Sequence, residues 1–221
     1  MKYIRSSLNY SKKYFKNGQA IILESTTYPG TTEEFFIPIL KKFDIGKNIF
    51  LIYSPEREDP GNKRYNVTNI PKIVSGYSNN CIKIAKQLYG SLNKNQTIEV
   101  SSIKAAELTK LLENIYRSVN IGLINEMKLI AKKMDIDIME VINAAKTKPF
   151  GYKAFYPGPG LGGHCIPIDP FILTWKAKQF GVDTKFIKLS GQINSFMPKY
   201  VVKNTYESLK NLKRKKILIL G

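Results

Sequence analysis

At 221 residues, 43% hydrophobic and 11% aromatic, the chain can bury one large core or two small ones. With no run of eighteen apolar residues and no signal-type opening, neither a membrane span nor export is expected, which suits a cytoplasmic protein. The net charge of +18 raises a basic nucleic-acid-binding protein as an alternative, but the lysines are scattered rather than gathered on one stripe with interleaved aromatics, so a solvated basic surface is the simpler reading, and the surplus of cations would also favour an anionic substrate such as a diphosphate.

In chain order, residues Tyr3 to Lys16 carry helical spacing that Asn17-Gly18 stops. AIILEST (Ala20 to Thr26) reads as a buried strand. Pro29-Gly30 then turns the chain into a helix that Thr31 or Thr32 can cap, with Glu33 and Glu34 suited to its first turn. NIFLIYSPE (Asn48 to Glu56) is a second strand running into a polar loop, and KIVSGY (Lys72 to Tyr77) a third. Cys81 to Tyr89 forms a helix, and TIEVSS (Thr97 to Ser102) a fourth strand. Strands and helices alternating in this way predict an α/β layer built on a parallel sheet.

From Ile103 to about Lys133 the apolar period is helical, without a proline and with only Gly122 interrupting, which predicts one long helix. Further helices are expected over Asp135 to Thr147, Pro170 to Phe180 and Met197 to Leu212. The last run, KKILILG (Lys215 to Gly221), reads as the first strand of another nucleotide-binding α/β domain. The resulting division is a partial Rossmann-type domain over 1–102, an all-α central module over 103–212 and an isolated strand over 213–221.

The chemistry is sought first at GPGLGGHCIPIDP, Gly158 to Pro170. Cys165 lies behind a glycine-crowded loop and before a helix start, where a thiolate is favoured, and Asp169 follows four residues on. The alternative for an isolated cysteine is a small buried hydrophobe. Cys81, in an unlike context, makes no disulfide framework with it. His164, the single histidine, points to loop structure or a substrate neighbour, and no metal-ligand spacing accompanies it.

A second constellation is AELTKLLEN on the long helix, where Lys110 and Asn114 share one face. A cation beside an amide donor can stabilise a developing oxyanion, although a solvated lysine would show the same spacing. A third is YSPERED: Glu56 falls just past a strand end, where ligands of α/β sheets bind and where a carboxylate can activate water, or else is simply a loop carboxylate. Thr26 in ESTTYPGTT holds the matching place after the first strand; taken alone, a turn or capping threonine is its simpler reading.

ESTTYPGTTEE, SPEREDPGN, AELTKLLENIYRSVNIGLINE and FYPGPGLGGHCIPIDPF, in this order and spacing, resemble the UDP-glucose/GDP-mannose dehydrogenases, with the wording most similar to the UDP-N-acetylhexosamine 6-dehydrogenase branch. The resemblance implies an NAD-dependent four-electron oxidation of a nucleotide sugar at C6, in polysaccharide or O-antigen precursor synthesis. It implies that Cys165 captures the aldehyde as a thiohemiacetal and then carries a thioester. Lys110 and Asn114 would hold the charged oxygen, and Asp169, with Glu56 and Thr26 around a water, would serve thioester hydrolysis. Thr26 and Glu56 would also face the cofactor, while Lys110, Asn114, Tyr156 and Gly162 would surround the UDP-sugar. A homodimer through the long helix is implied as well, with neither nucleic acid nor membrane as a partner. The family's glycine-rich pyrophosphate turn is missing before Ala20, and of its last domain only one strand remains. The chain is therefore expected to be truncated at both ends relative to the family and to show little or no dehydrogenase activity alone, a non-catalytic dimerising remnant being the other outcome.

Overall fold

The computed structural model describes residues 1–59, 61–92, 96–163, 166–210 and 213–220, which form two compact units, Met1–Asn114 and Ile115–Gly221. The division falls inside the long helix, whereas the sequence places its boundary after residue 102.

The first unit is an α/β layer. Its four strands are β1 (Gln19–Leu23), β2 (Ile49–Tyr53), β3 (Lys72–Gly76) and β4 (Thr97–Glu99), lying side by side in that order. β1 and β2 are parallel, with Gln19 opposite Ile49 and Leu23 opposite Tyr53, and β3 and β4 are parallel too. The expected parallel sheet is thus largely present, with one exception. β2 and β3 run antiparallel, Tyr53 opposite Ser75. The physical reason is the connection: residues 54–59 and 61–71 hold no helix, and a parallel return is usually made through a crossover helix. The antiparallel turn brings the start of β3 to the edge where β1 and β2 end.

β2, IFLIY, is buried at every position but the half-buried Phe50 and is hydrophobic throughout, as suits a strand covered on both faces. Ile49, Leu51 and Tyr53 join one core with Leu8 of α1 (Lys2–Ser11), Phe36 and Leu40 of α2 (Thr31–Leu40), and Ile103 and Ala106 of α4 (Ile103–Lys133). Ile52 joins the opposite core with Val74 and with Cys81, Ala85 and Tyr89 of α3 (Asn79–Leu92). The first helix is shorter than its periodicity suggests, continuing as a single tight turn over Lys12–Tyr14. Neither Thr31 nor Thr32 caps α2. Gly30 holds the cap position at φ +101°, which only glycine adopts without strain, and the capping acceptor comes from α4.

The second unit is helical: the remainder of α4, then α5 (Ile138–Ala145), α6 (Asp169–Lys178) and α7 (Lys185–Leu209). α5 is capped by the Asp137 carboxylate, which accepts from the Met139 N–H at 2.8 Å. α7 begins twelve residues before its expected start at Met197. Pro198 lies inside the helix, where it removes the N–H that Asn194 O would otherwise receive. Gly160 packs against that carbonyl: a Cβ on Gly160, at φ +124°, would stand 2.9 Å from it. At Gly122, where α4 approaches α7, a Cβ would stand 3.3 Å from Ser190. The expected strand at KKILILG does not form over its described residues. Ile217 to Leu220 are exposed, with no neighbouring strand to supply a ladder. No described helix is long and apolar enough to cross a membrane.

Candidate active site

In the first unit the candidate residues gather at the edge where β1 and β2 end. The parallel ladder continues past both strands: Ser54 N donates to Leu23 O at 3.1 Å and Glu56 N to Glu24 O at 3.2 Å. This places Glu24 and Glu56 on neighbouring loops, with half-buried Thr26 two residues beyond Glu24. The start of β3 supplies Lys72, whose side chain is only 5% exposed. Its ammonium lies 2.9 Å from Glu56 Oε2 and 3.2 Å from Glu24 Oε1. Tyr89 of α3 donates its hydroxyl to Glu24 at 2.7 Å. Burial and that carboxylate push the Tyr89 phenol well above its usual range.

Glu56 is held from both sides. Its Oε1 accepts the N–H groups of Arg57 and Glu58, each at 2.7 Å, while Oε2 faces Lys72. Partial burial alone would raise this carboxyl. The ammonium and the two N–H donors outweigh it and hold Glu56 below the usual carboxylate range. Arg57 ties the loop down: it donates to Pro71 O at 2.6 Å and pairs at 2.8 Å with Glu113, the neighbour of Asn114 on α4.

On α4, Lys110 and Asn114 do share a face, Lys110 half-buried and Asn114 buried. One turn before Lys110, fully buried Glu107 reaches the loop after β1. It accepts from the Gly30 N–H, from the Thr32 N–H at 2.8 Å, and from the Thr32 and Thr27 hydroxyls at 2.7 and 3.4 Å. Burial nevertheless leaves its carboxyl above the usual range, although those donors oppose the shift. Glu107 therefore joins the helix carrying Lys110 and Asn114 to the loop carrying Thr26.

In the second unit, Asp169 is the first residue of α6 and 2% exposed, with Pro170 behind it, where a carboxylate complements the helix dipole. Tyr156 and Gly162 are exposed on the glycine loop. Cys165 and His164 lie outside the described residues. The base of the loop is fixed by buried amides: Gly158 N donates to Asn125 Oδ1 at 3.0 Å, Asn125 Nδ2 to Asn194 Oδ1 at 3.1 Å, and Asn194 Nδ2 to Ser118 O at 2.9 Å.

Sequence reasoning passes over Glu24, Lys72, Arg57, Glu107, Asn125 and Asn194. A signal exists for some of them. Glu107, Asn114 and Asn125 occupy the buried phase of α4, where a polar residue nearly always has a partner. Lys72 opens a strand that is buried from its first residue through Ser75.

The donor set also shows what this edge can hold. Carboxylates and threonine hydroxyls suit the hydroxyl-rich ribose and nicotinamide portion of a dinucleotide. They do not suit its diphosphate, because Glu107 already takes the N–H donors at the start of α2 where an anion would sit.

An α/β layer whose strand ends carry such groups, followed by a helical module with a glycine loop, is the plan of a nucleotide-dependent dehydrogenase. Residues 1–93 match the NAD binding domain of the UDP-glucose/GDP-mannose dehydrogenase family, and residues 104–195 match its central domain; the chain belongs to that family. It is 42% identical to Protein CapL of Staphylococcus aureus over 192 residues, 86% of this chain and 45% of that protein. It is 39% identical to the UDP-N-acetyl-D-glucosamine 6-dehydrogenase of Pseudomonas aeruginosa over 218 residues, 95% of this chain and 51% of the relative. Among solved structures, the UDP-N-acetyl-mannosamine dehydrogenase Cap5O of S. aureus superposes with a TM-score of 0.85 at 33% identity, covering 100% of this chain and 51% of that one. The UDP-D-ManNAc dehydrogenase of Pyrococcus horikoshii superposes with 0.87 at 32% identity, covering 94% and 49%. The chain thus spans about half the length of the relatives it matches.

Proposed function

We propose that the chain is the nicotinamide-side and thiol-bearing part of an NAD-dependent UDP-N-acetylhexosamine 6-dehydrogenase, of the UDP-N-acetylglucosamine to UDP-N-acetylglucosaminuronate type, working in surface-polysaccharide precursor synthesis. The observation that carries the reading is the Arg57 bridge. It joins the Glu56 loop to α4 beside Asn114, so the water-activating and oxyanion-holding groups belong to one ordered unit. The 39% identity to a UDP-N-acetyl-D-glucosamine 6-dehydrogenase supports the sugar class.

In this reading the Cys165 thiolate adds to the C6 aldehyde, forming a thiohemiacetal whose oxygen is held by Lys110 and Asn114. NAD+ held beside Thr26 and Glu56 would supply the oxidising power, one molecule for the alcohol and a second, after exchange, for the thiohemiacetal. The resulting thioester is attacked by water, which gives a proton to Glu56 or Asp169; the carboxylate product leaves and the thiolate is restored. Thr26 orients the water and the cofactor's ribose. Tyr156 and Gly162 close around the sugar.

The chain also forms a homodimer through α4. Within the second unit Tyr116, Leu123, Met127, Ile130 and Met134 stand exposed at helical spacing, an apolar stripe that suits a second copy.

Thiol labelling tests the reading. Iodoacetamide should modify Cys165 in preference to buried Cys81, and UDP-N-acetylglucosamine should slow it; labelling indifferent to that sugar overturns the assignment. In an absorbance assay with NAD+ and the same sugar, the chain alone should form little NADH, because no described donor set receives the diphosphate. Rapid turnover would refute that part.

A further inference from the structure

Lys72 deserves a role of its own. Its backbone N–H donates to Gln96 O at 2.8 Å, so its Cα is fixed within the β3–β4 ladder. Its side chain runs beneath the strand edge, and its ammonium stands 5.2 Å over the Tyr89 ring. It faces two carboxylates from two separate loops, and both of those are half-exposed, at 49% for Glu24 and 46% for Glu56. A buried cation under two solvent-facing carboxylates is an uncommon way to hold a loop, since long lysines usually keep their heads in water. It is a natural way to keep two like charges ionised side by side. Without it, Glu56 would face the Glu24 carboxylate with no cation between them.

The surrounding charges sharpen the assignment. Glu56 also faces Arg57 and Glu58 of its own loop, and Arg57 is committed to Glu113 of α4. Tyr89 of α3 commits its hydroxyl to Glu24. Lys72 is therefore the cation in contact with the Glu56 carboxylate among the described residues.

We infer that Lys72 is a positioning residue: it acts through Glu56, aiming that carboxylate and keeping it ready to accept a proton during thioester hydrolysis, while Glu24, oriented by Tyr89, holds the ammonium in place. The inference rests on the proposed role of Glu56, and the two can be tested apart.

The first measurement is the carboxyl titration of Glu56 followed by 13C NMR, with its resonance assigned by Glu56→Gln. In Lys72→Met the midpoint should rise by about one pH unit or more, the usual effect of losing an adjacent opposite charge. Lys72→Arg should restore most of it. Should Lys72→Met fail to fold, the double variant Lys72→Met with Glu24→Gln relieves the like-charge repulsion and is read in the same way. An unmoved midpoint in a folded variant lacking Lys72 overturns the inference.

The second measurement uses p-nitrophenyl acetate. The Cys165 thiolate displaces p-nitrophenolate to form an acetyl thioester; water then attacks it, passing one proton to Glu56 and releasing the thiolate and acetic acid, which ionises to solvent. Cys165→Ser gives the background. In Lys72→Met the acid limb of deacetylation should move up with the Glu56 midpoint, so that on that limb the rate is up to about tenfold below wild type and recovers as pH rises past the new midpoint. A purely structural lysine would lower the rate equally at all pH values, which would also overturn the inference. If instead the Glu56 midpoint moves as expected while Glu56→Gln deacetylates at the wild-type rate, the proposed role of Glu56 fails, and the role assigned to Lys72 in hydrolysis falls with it.

Discussion

The two units hold their functional loops by opposite means. The first unit uses charge: Glu107 grips the loop after β1, and Lys72 with Arg57 grips the Glu56 loop. The second uses neutral amides: Asn125 and Asn194 hold the base of the glycine loop through a buried chain of three hydrogen bonds. Charged anchors respond to pH and salt, whereas amide anchors do not titrate in the physiological range. The arrangement gives the Glu56 loop a charged, titratable anchor and the glycine loop one that keeps its shape across pH.

The contrast is most severely tested at Glu107. Glu107→Ala leaves the N–H groups of Gly30 and Thr32 and the Thr32 hydroxyl without their acceptor, and should cost about 3 kcal/mol or more in urea unfolding. A loss under about 1 kcal/mol would mean that this carboxylate does not organise the loop. Asn194→Ala comes next. It strips a partner from both Asn125 and the Ser118 carbonyl, with an expected loss of roughly 2 kcal/mol that is the same in low and high salt. Salt dependence there would break the division between charged and neutral anchors.

The acid limb of stability gives a smaller effect. Glu56 titrates below its ordinary value in the folded chain, so its contribution is present above the unfolded carboxyl pKa and is lost as pH falls through the folded one. Glu56→Gln should flatten stability across that window. Because the side chain is half-exposed, the change should stay within about 1 kcal/mol. Glu107 has the opposite sign, its contribution present below the unfolded pKa and lost as pH rises through its raised folded value. The smallest effect is expected from Ser118→Ala. That hydroxyl is buried without a hydrogen-bond partner among the described residues, so its removal should shift stability by no more than ~0.5 kcal/mol, as calorimetry can check.

Much of this architecture could be read in advance, for identifiable reasons. The long helix announces itself because thirty-one residues of unbroken 3.6 periodicity have no other explanation. β2 announces itself because every position is hydrophobic. α7 was hidden in part because it contains Pro198, and a proline is tolerated in mid-helix only where its neighbourhood allows. The antiparallel return of β3 was hidden because strand direction depends on what the intervening loop does in space. Of the candidate site, Lys110 with Asn114 was visible as a spacing of four on one helix. Lys72 with Glu24 and Glu56 was not, since they come from three separate segments.

The sequence by itself determined which residue types could do chemistry and which short segments carry them, because motif spacing and helical period are local properties. Only the tertiary structure decided which charges meet. The partners of Lys72, Arg57 and Glu107 lie far from them along the chain, and whether a buried charge is stabilised depends on what other segments place within a few ångströms of it.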